Sequence, residues 1–239
     1  IPVVLLCVLV ACAMVGFVNG FFMAKFKLHP FIVTLSTQLI VYGLVLLFMQ
    51  LGTNGGQTLS GMSEGYRNFI IKPLLTLKTS SGPVTVPRYV LYSTIITAIV
   101  WVIWNKTAFG KNMYAVGSNE EAANVSGVNV TATIIMVFVL AGIMYGITGF
   151  FDGARIASVN ANTGLNYECD AIAACVIGGV SFVGGIGKIS GIVVGVLLLQ
   201  IIFTGLNFLS VDQNALYIIK GLVILVACAI DMRKYLVRK

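Results

Sequence analysis

The run GGVSFVGGIGKIS, Gly178 to Ser190, is where this sequence comes nearest to catalytic chemistry. A phosphate-cradling loop requires Gly, four residues, then Gly-Lys-Ser/Thr, so that backbone amides surround the anion and a hydroxyl reaches a metal. Phe182 occupies the first Gly position and Ile189 follows Gly187-Lys188, so both ends of that pattern fail. A nucleophile elbow requires G-x-S-x-G, but Val183 stands where the last Gly must follow Ser181. His29 is the only histidine, which leaves no base for a Ser/His/Asp or Cys/His constellation. A metal would need Cys and carboxylate ligands, and Cys7, Cys12, Cys169, Cys175 and Cys228 do not cluster with zinc spacing. No catalytic residue, metal or cofactor is expected. The glycines have a different use: Gly187, Gly191 and Gly195 repeat every fourth residue, as do Gly142 and Gly146, the pattern of close helix packing. Gly184 to Gly187 also suits a tight inner turn.

The elements that carry these residues follow from composition. Of 239 residues, 58% are hydrophobic and only 10% charged, and the mean hydropathy is +0.98. A water-soluble globule of this length needs far more charged surface than 15 basic and 8 acidic residues supply. The apolar residues fall in continuous blocks near or above the roughly 18 residues that cross a bilayer, which predicts an all-α polytopic membrane protein and disfavours a β-barrel. Seven spans are expected: about Ile1–Ala24, Phe31–Leu51, Tyr89–Trp104, Thr131–Phe151, Ala171–Gly187, Ile189–Leu209 and Leu216–Ile230. The third, fifth and seventh are short, reaching full thickness only with flanking residues or by being broken or re-entrant.

Charge then sorts by side. With the tail cytoplasmic, alternation places Lys25, Lys27, Lys106, Lys111, Lys188, Arg233, Lys234, Arg238 and Lys239 inside. Outside fall Arg67, Lys72, Lys78, Arg88 and Arg155, balanced by Glu64, Asp152, Glu168, Asp170 and Asp212. The net charge of +7 therefore reports topology, and no basic run with interleaved aromatics points to nucleic acid. Lys220 is the one charge within a span. It lies about one turn from the outer end, where snorkelling to the headgroups is the plain reading and a role in a transport path the alternative. Outside, the amphipathic run Met62–Leu75, closed by Pro73, predicts a short interfacial helix in an extracytoplasmic loop spanning residues 52–88.

The inner loop, residues 105–130, reads NKTAFGKNMYAVGSNEEAANVSGVNV. Ser118 lies three residues before Glu121, which is capping-box spacing, acids occupy the first turn, and Gly127 supplies a stop. The spacing predicts a short polar helix over Ser118–Ser126. Such a helix is either a connector or a docking element for a cytoplasmic partner.

At these residues the sequence resembles permeases of sugar-type ATP-binding-cassette importers, within the branched-chain permease superfamily. GKNMYAVGSNEEAANVSGVNV is similar to that family's cytoplasmic coupling loop, with its Gly-x-Asn-Glu-x-Ala-Ala-x-x-Ser-Gly pattern. GFVNGFFMAKFKLHPFIVTLSTQLIVYGL (Gly16–Leu44) resembles its Pro-Phe-Ile-x-Thr-Leu segment. Ala154–Gly187 and Tyr217–Tyr235 are closer to the galactose/methyl-galactoside branch than to the ribose branch, although Cys169 replaces the usual aliphatic residue.

The resemblance implies a ten-span fold like that of the cobalamin-importer (type II) permeases. This chain would be one permease domain beginning at the fourth span, in the bacterial plasma (inner) membrane with a cytoplasmic C-terminus. It implies a second permease copy, cytoplasmic ATPases that alone hydrolyse ATP, an extracytoplasmic sugar-binding protein, and surrounding lipid. Ser118, Asn119, Glu120, Glu121, Ala122, Ala123, Ser126 and Gly127 would meet the ATPase. The cargo would be a monosaccharide such as galactose, methyl-galactoside or glucose. Weak hydroxyl contacts are expected from Asn19, Asn160, Asn162, Asn166 and Asn207, since amides both donate and accept. An importer of the same fold for ribose, nucleosides or another small polar solute is the alternative. A secondary transporter is disfavoured because no carboxylate lies in a span core.

Overall fold

The computed structural model describes residues 1–51, 55, 58–79 and 82–236; the expectations for Arg238 and Lys239, and parts of the expected loop 52–88, lie outside these residues. The elements run α1 (Pro2–Phe26), α2 (Pro30–Leu51), β1 (Leu59–Ser60), α3 (Glu64–Ile71), β2 (Pro73–Thr79), β3 (Gly82–Pro87) and α4 (Arg88–Lys106). They continue with α5 (Ala108–Ser118), α6 (Glu120–Val125), α7 (Val130–Ile156), β4 (Ser158–Val159), α8 (Tyr167–Ile177), α9 (Ile189–Phe208) and α10 (Gln213–Leu236). Among the described residues six helices are long and apolar enough to cross a bilayer: α1, α2, α4, α7, α9 and residues Asn214–Met232 of α10. The expected fifth span is different. The helix there, α8, has 11 residues, about 16 Å against a hydrocarbon core of about 30 Å, and glycines break the chain after it.

The chain divides into two compact units, residues 1–100 with 129–163 and residues 101–128 with 164–239. In the first, α1 and α7 pack antiparallel along glycines on both helices. Gly16 faces the backbone of Phe138, Gly20 that of Ile135, Gly142 the carbonyl of Cys12, and Gly146 the Cys12 side chain. Lipid supplies no hydrophobic drive between helices, so attraction depends on how near the backbones come, and each missing Cβ lets them approach. Gly142 and Gly146 of α7 thus meet Cys12 of α1, while Gly16 and Gly20 of α1 meet Phe138 and Ile135 of α7.

Beside this pair α3 folds where the amphipathic run predicts a helix, though only over eight residues. Ser63 caps it, its Oγ accepting the Tyr66 amide at 3.4 Å, and Glu64 lies in the first turn, where the helix dipole favours an acid. Ile70, Phe150 and Ala154 form the core beneath it. The Tyr66 ring packs 4.8 Å from that of Phe150 and its hydroxyl donates to the Phe150 carbonyl. Burial pushes the Tyr66 phenol upward, which keeps it a neutral donor. After Pro73 the chain forms a hairpin not foreseen from the sequence, β2 against β3, with Pro73 opposite Pro87 at its open end and a bulge between Pro73 and Leu75. Proline is tolerated at that edge because no ladder amide is needed there.

Substituting leucine at Gly142 drives a side chain into the Cys12 backbone, whereas at Gly149, on the same helix, nothing lies within 4 Å. Gly142→Leu should lower stability in detergent by about 1–3 kcal/mol and Gly149→Leu by less than about 0.5 kcal/mol. Thermal unfolding of the two purified variants would separate them, and equal losses would remove the packing role.

Candidate coupling and transport site

The second unit is built around the inner loop and the glycine run. Thr107 starts α5, its Oγ1 accepting the Gly110 amide at 3.2 Å. Gly110 is required there, since a side chain would meet the Trp104 carbonyl at the end of α4. Asn119 ends α5 and starts α6 at once: its backbone is extended (φ −161°, ψ 109°) and its Oδ1 accepts the Ala122 amide at 2.9 Å. The expected cap, Ser118, is instead the last residue of α5. A helical backbone leaves its hydroxyl unable to reach the α6 amides, and the side chain faces Gly185.

α6 closes as a Schellman motif. The Val128 amide donates to the Ala123 carbonyl and the Gly127 amide to the Asn124 carbonyl, each at 3.0 Å, with Gly127 at φ +85°. Only Ala123 of this helix is buried. Glu120, Glu121 and Ala122 face outward, and Val125 is 90% exposed, an apolar side chain with nothing over it in this chain.

The glycine run forms the floor under α5. Ser181 N–H donates to the Ile186 carbonyl at 3.0 Å, closing a turn in which Gly184 (φ +100°) and Gly185 (φ +71°) adopt left-handed backbone. Gly117 of α5 stacks directly on Gly184 and Gly185, where a Cβ on either side would collide with backbone. The Tyr114 hydroxyl donates to the Gly187 carbonyl. Gly187 therefore belongs to the turn and not to a helix-packing stripe, because α9 begins only at Ile189. Gly191 and Gly195 lie against Gly178 and the Ala174 carbonyl at the end of α8. From the other side Asp231 of α10 takes the turn: its Oδ2 accepts from the Phe182 amide at 3.1 Å and from Ser181 Oγ at 3.3 Å. One turn thus meets α5 and α10, and it joins the end of α8 to the start of α9.

The asparagines separate. Asn160 and Asn162 are engaged in their own turn, Asn160 Oδ1 accepting from the Asn162 amide at 2.9 Å and from Thr163 Oγ1 at 3.2 Å. Asn162 Oδ1 also accepts from the Tyr42 hydroxyl at 2.9 Å. Asn19 Oδ1 receives Thr37 Oγ1 at 2.5 Å, a polar link between α1 and α2. Asn166 precedes α8 with φ +68° and makes no side-chain cap. Asn207 lines a cavity.

Lys220 has a partner in this unit. Its Nζ lies 2.8 Å from both Oδ1 and Oδ2 of Asp170 and 4.9 Å from the centre of the Phe203 ring. Charges within membrane spans pair with one another, and that rule applied to the single charged residue of a span could have sought this carboxylate. Asp231 left no comparable signal, since its partners are backbone and hydroxyl of a turn.

Comparison with known proteins places these features. The chain is 49% identical over 233 residues to the galactose/methyl galactoside import permease protein of Treponema pallidum, covering 95% of this chain and 42% of that one. Against the protein of the same name from Escherichia coli it is 42% identical over 239 residues, 100% and 69% of the two chains. Against the ribose import permease protein of Bacillus subtilis it is 37% identical over 222 residues, 90% and 63% of the two. The chain thus spans less than half the length of the first relative and about two thirds of the other two. No solved structure matches it. Residues 1–228 match a single family along nearly the whole sequence, and the chain belongs to the branched-chain amino acid transport system / permease component family.

Proposed function

We propose that this chain lines part of the pathway of an ATP-driven importer for a monosaccharide of the galactose/methyl-galactoside class, and hydrolyses nothing itself. The names of its relatives supply the cargo class. The observation that carries the mechanism is the seating of α6. A six-residue helix of two acids, two alanines, an asparagine and the exposed Val125 is held by α5 upon a turn that α10 grips through Asp231. Glu120 and Glu121 offer charge-assisted bonds and Ala122 and Gly127 a close fit to a cytoplasmic ATPase, with Val125 as the apolar contact. Ser118, Asn119, Ala123 and Ser126 hold that surface in shape. Closure of the ATPase would push α6 and α5 as one body onto the glycine turn and bias the spans between two arrangements.

The partners on this reading are the ATPase, an extracytoplasmic sugar-binding protein and a second permease copy, in the inner membrane with residues 105–130 and the C-terminus inside. Asn19, Asn160, Asn162, Asn166 and Asn207 remain proposed weak contacts along the path. Ribose is the second cargo, favoured by the Bacillus subtilis relative.

Three measurements test this reading. The full-length permease, reconstituted with its ATPase and binding protein, should take up radiolabelled galactose only with ATP; uptake driven by an ion gradient alone would replace the importer with a secondary transporter. Glu121→Lys should cut uptake about tenfold or more while the complex still assembles, as reversal of an interfacial charge does. Normal uptake would refute the docking role. In a cysteine-free background, an impermeant thiol reagent on intact cells should label Glu64→Cys and spare Lys111→Cys, and the opposite pattern would invert the topology.

A further inference from the structure

A cavity of about 420 Å³ opens between α8, α9 and α10, within the size range of small-molecule sites. Its wall is mixed, with polar side chains set among Ala171, Ala174, Val196, Leu199, Phe203 and Leu216. Gln200, Phe203 and Asn207 lie at positions i, i+3 and i+7 of α9, one face of a helix otherwise apolar enough to span a bilayer, and all three line the cavity. Tyr217 and Lys220 face it from α10 and Asp170 from α8. Polar side chains inside a membrane span are costly, and they persist where they face a partner or a water-filled cavity. Phe203 and Asp170 account for Lys220. Gln200 bonds only along its own helix, its Nε2 donating to Thr204 Oγ1 at 3.2 Å.

We propose that this cavity is a contact site for the transported monosaccharide. The inference rests on the pathway reading above and adds the place and the groups. The Lys220–Asp170 pair carries no net charge, so the cavity selects neither anions nor cations. It presents instead a fixed ammonium donor, carboxylate oxygens with lone pairs beyond those used by Lys220, two amides and a phenol. Groups that both donate and accept match vicinal hydroxyls, each of which does the same. An acyl chain would bury the charged pair without replacing its water, which disfavours lipid as the occupant. Hydrogen bonds of this kind are individually weak, which suits a site that must release what it holds.

The test uses the full-length permease with its ATPase and sugar-binding protein in proteoliposomes, and D-galactose as the probe. Gln200→Ala and Asn207→Ala should each lower galactose uptake about 3- to 10-fold, the loss of one or two neutral hydrogen bonds, while the ATPase is still stimulated by the loaded binding protein. The double exchange Asp170→Lys with Lys220→Asp should restore assembly yet leave uptake low, because the charges now face the cargo in reversed places. Full uptake in the double exchange would make the pair a structural staple, and unchanged uptake per ATP in both amide variants would overturn the site. If the unaltered protein shows no ATP-driven uptake, the pathway reading itself fails, and the two failures are thereby told apart.

Discussion

Both units of this permease depend on the same contact, a helix or turn backbone brought against another backbone where glycine removes the Cβ. In hydrocarbon, apolar side chains gain nothing by meeting each other in place of lipid, and cohesion comes from dispersion and weak polar contacts at short range. Gly16 and Gly142 meet the opposing backbone in the first unit. Gly178 against Gly191, and Gly117 against Gly184 and Gly185, do so in the second. The glycines at these contacts are in this sense cohesive residues, and large side chains such as Leu39 and Phe48, each 70% exposed, are left to face outward.

The glycine turn has a further constraint, because irregular backbone lacks the internal hydrogen bonds of a helix and must find partners elsewhere. It finds them in the Tyr114 hydroxyl and the Asp231 carboxylate. The groups that satisfy the turn therefore also connect it, α5 on one side and α10 on the other. α10 carries Asp231 at the turn and Lys220 at the cavity, 11 residues apart and so about 16 Å along one rigid axis. On the proposed reading this helix joins the coupling surface to the cargo.

How far these features could be read from the sequence depends on the range of the interaction behind each. The six long spans follow from hydropathy, a local quantity, and their ends fall within a few residues of the expected ones. α6 was likewise legible, since capping and a glycine stop act over three to five residues. Its cap was misplaced by one position because Ser118 and Asn119 are both good caps, and the choice lies with the backbone, helical at one and extended at the other. The β2–β3 hairpin was missed for a related reason: its strands are short, flanked by proline, and carry no alternation strong enough to separate them from the tail of an amphipathic run. The Lys220–Asp170 and Asp231–Phe182 contacts join residues about 50 positions apart, and no local pattern encodes them.

The two carboxylates of those contacts are used in opposite ways. Asp231 accepts from a backbone amide and a hydroxyl of the turn, so it works as a positioning group. Asp170 holds a lysine in a partly buried place, where both charges have lost water and where removing either leaves the other uncompensated. Such a pair adds little net stability against a well-packed apolar substitute, so its presence in a cavity wall calls for another role than holding the fold. On the proposed reading, a wall of no net charge that both donates and accepts hydrogen bonds matches a hydroxylated, uncharged cargo, and the weakness of each bond lets a pathway release it.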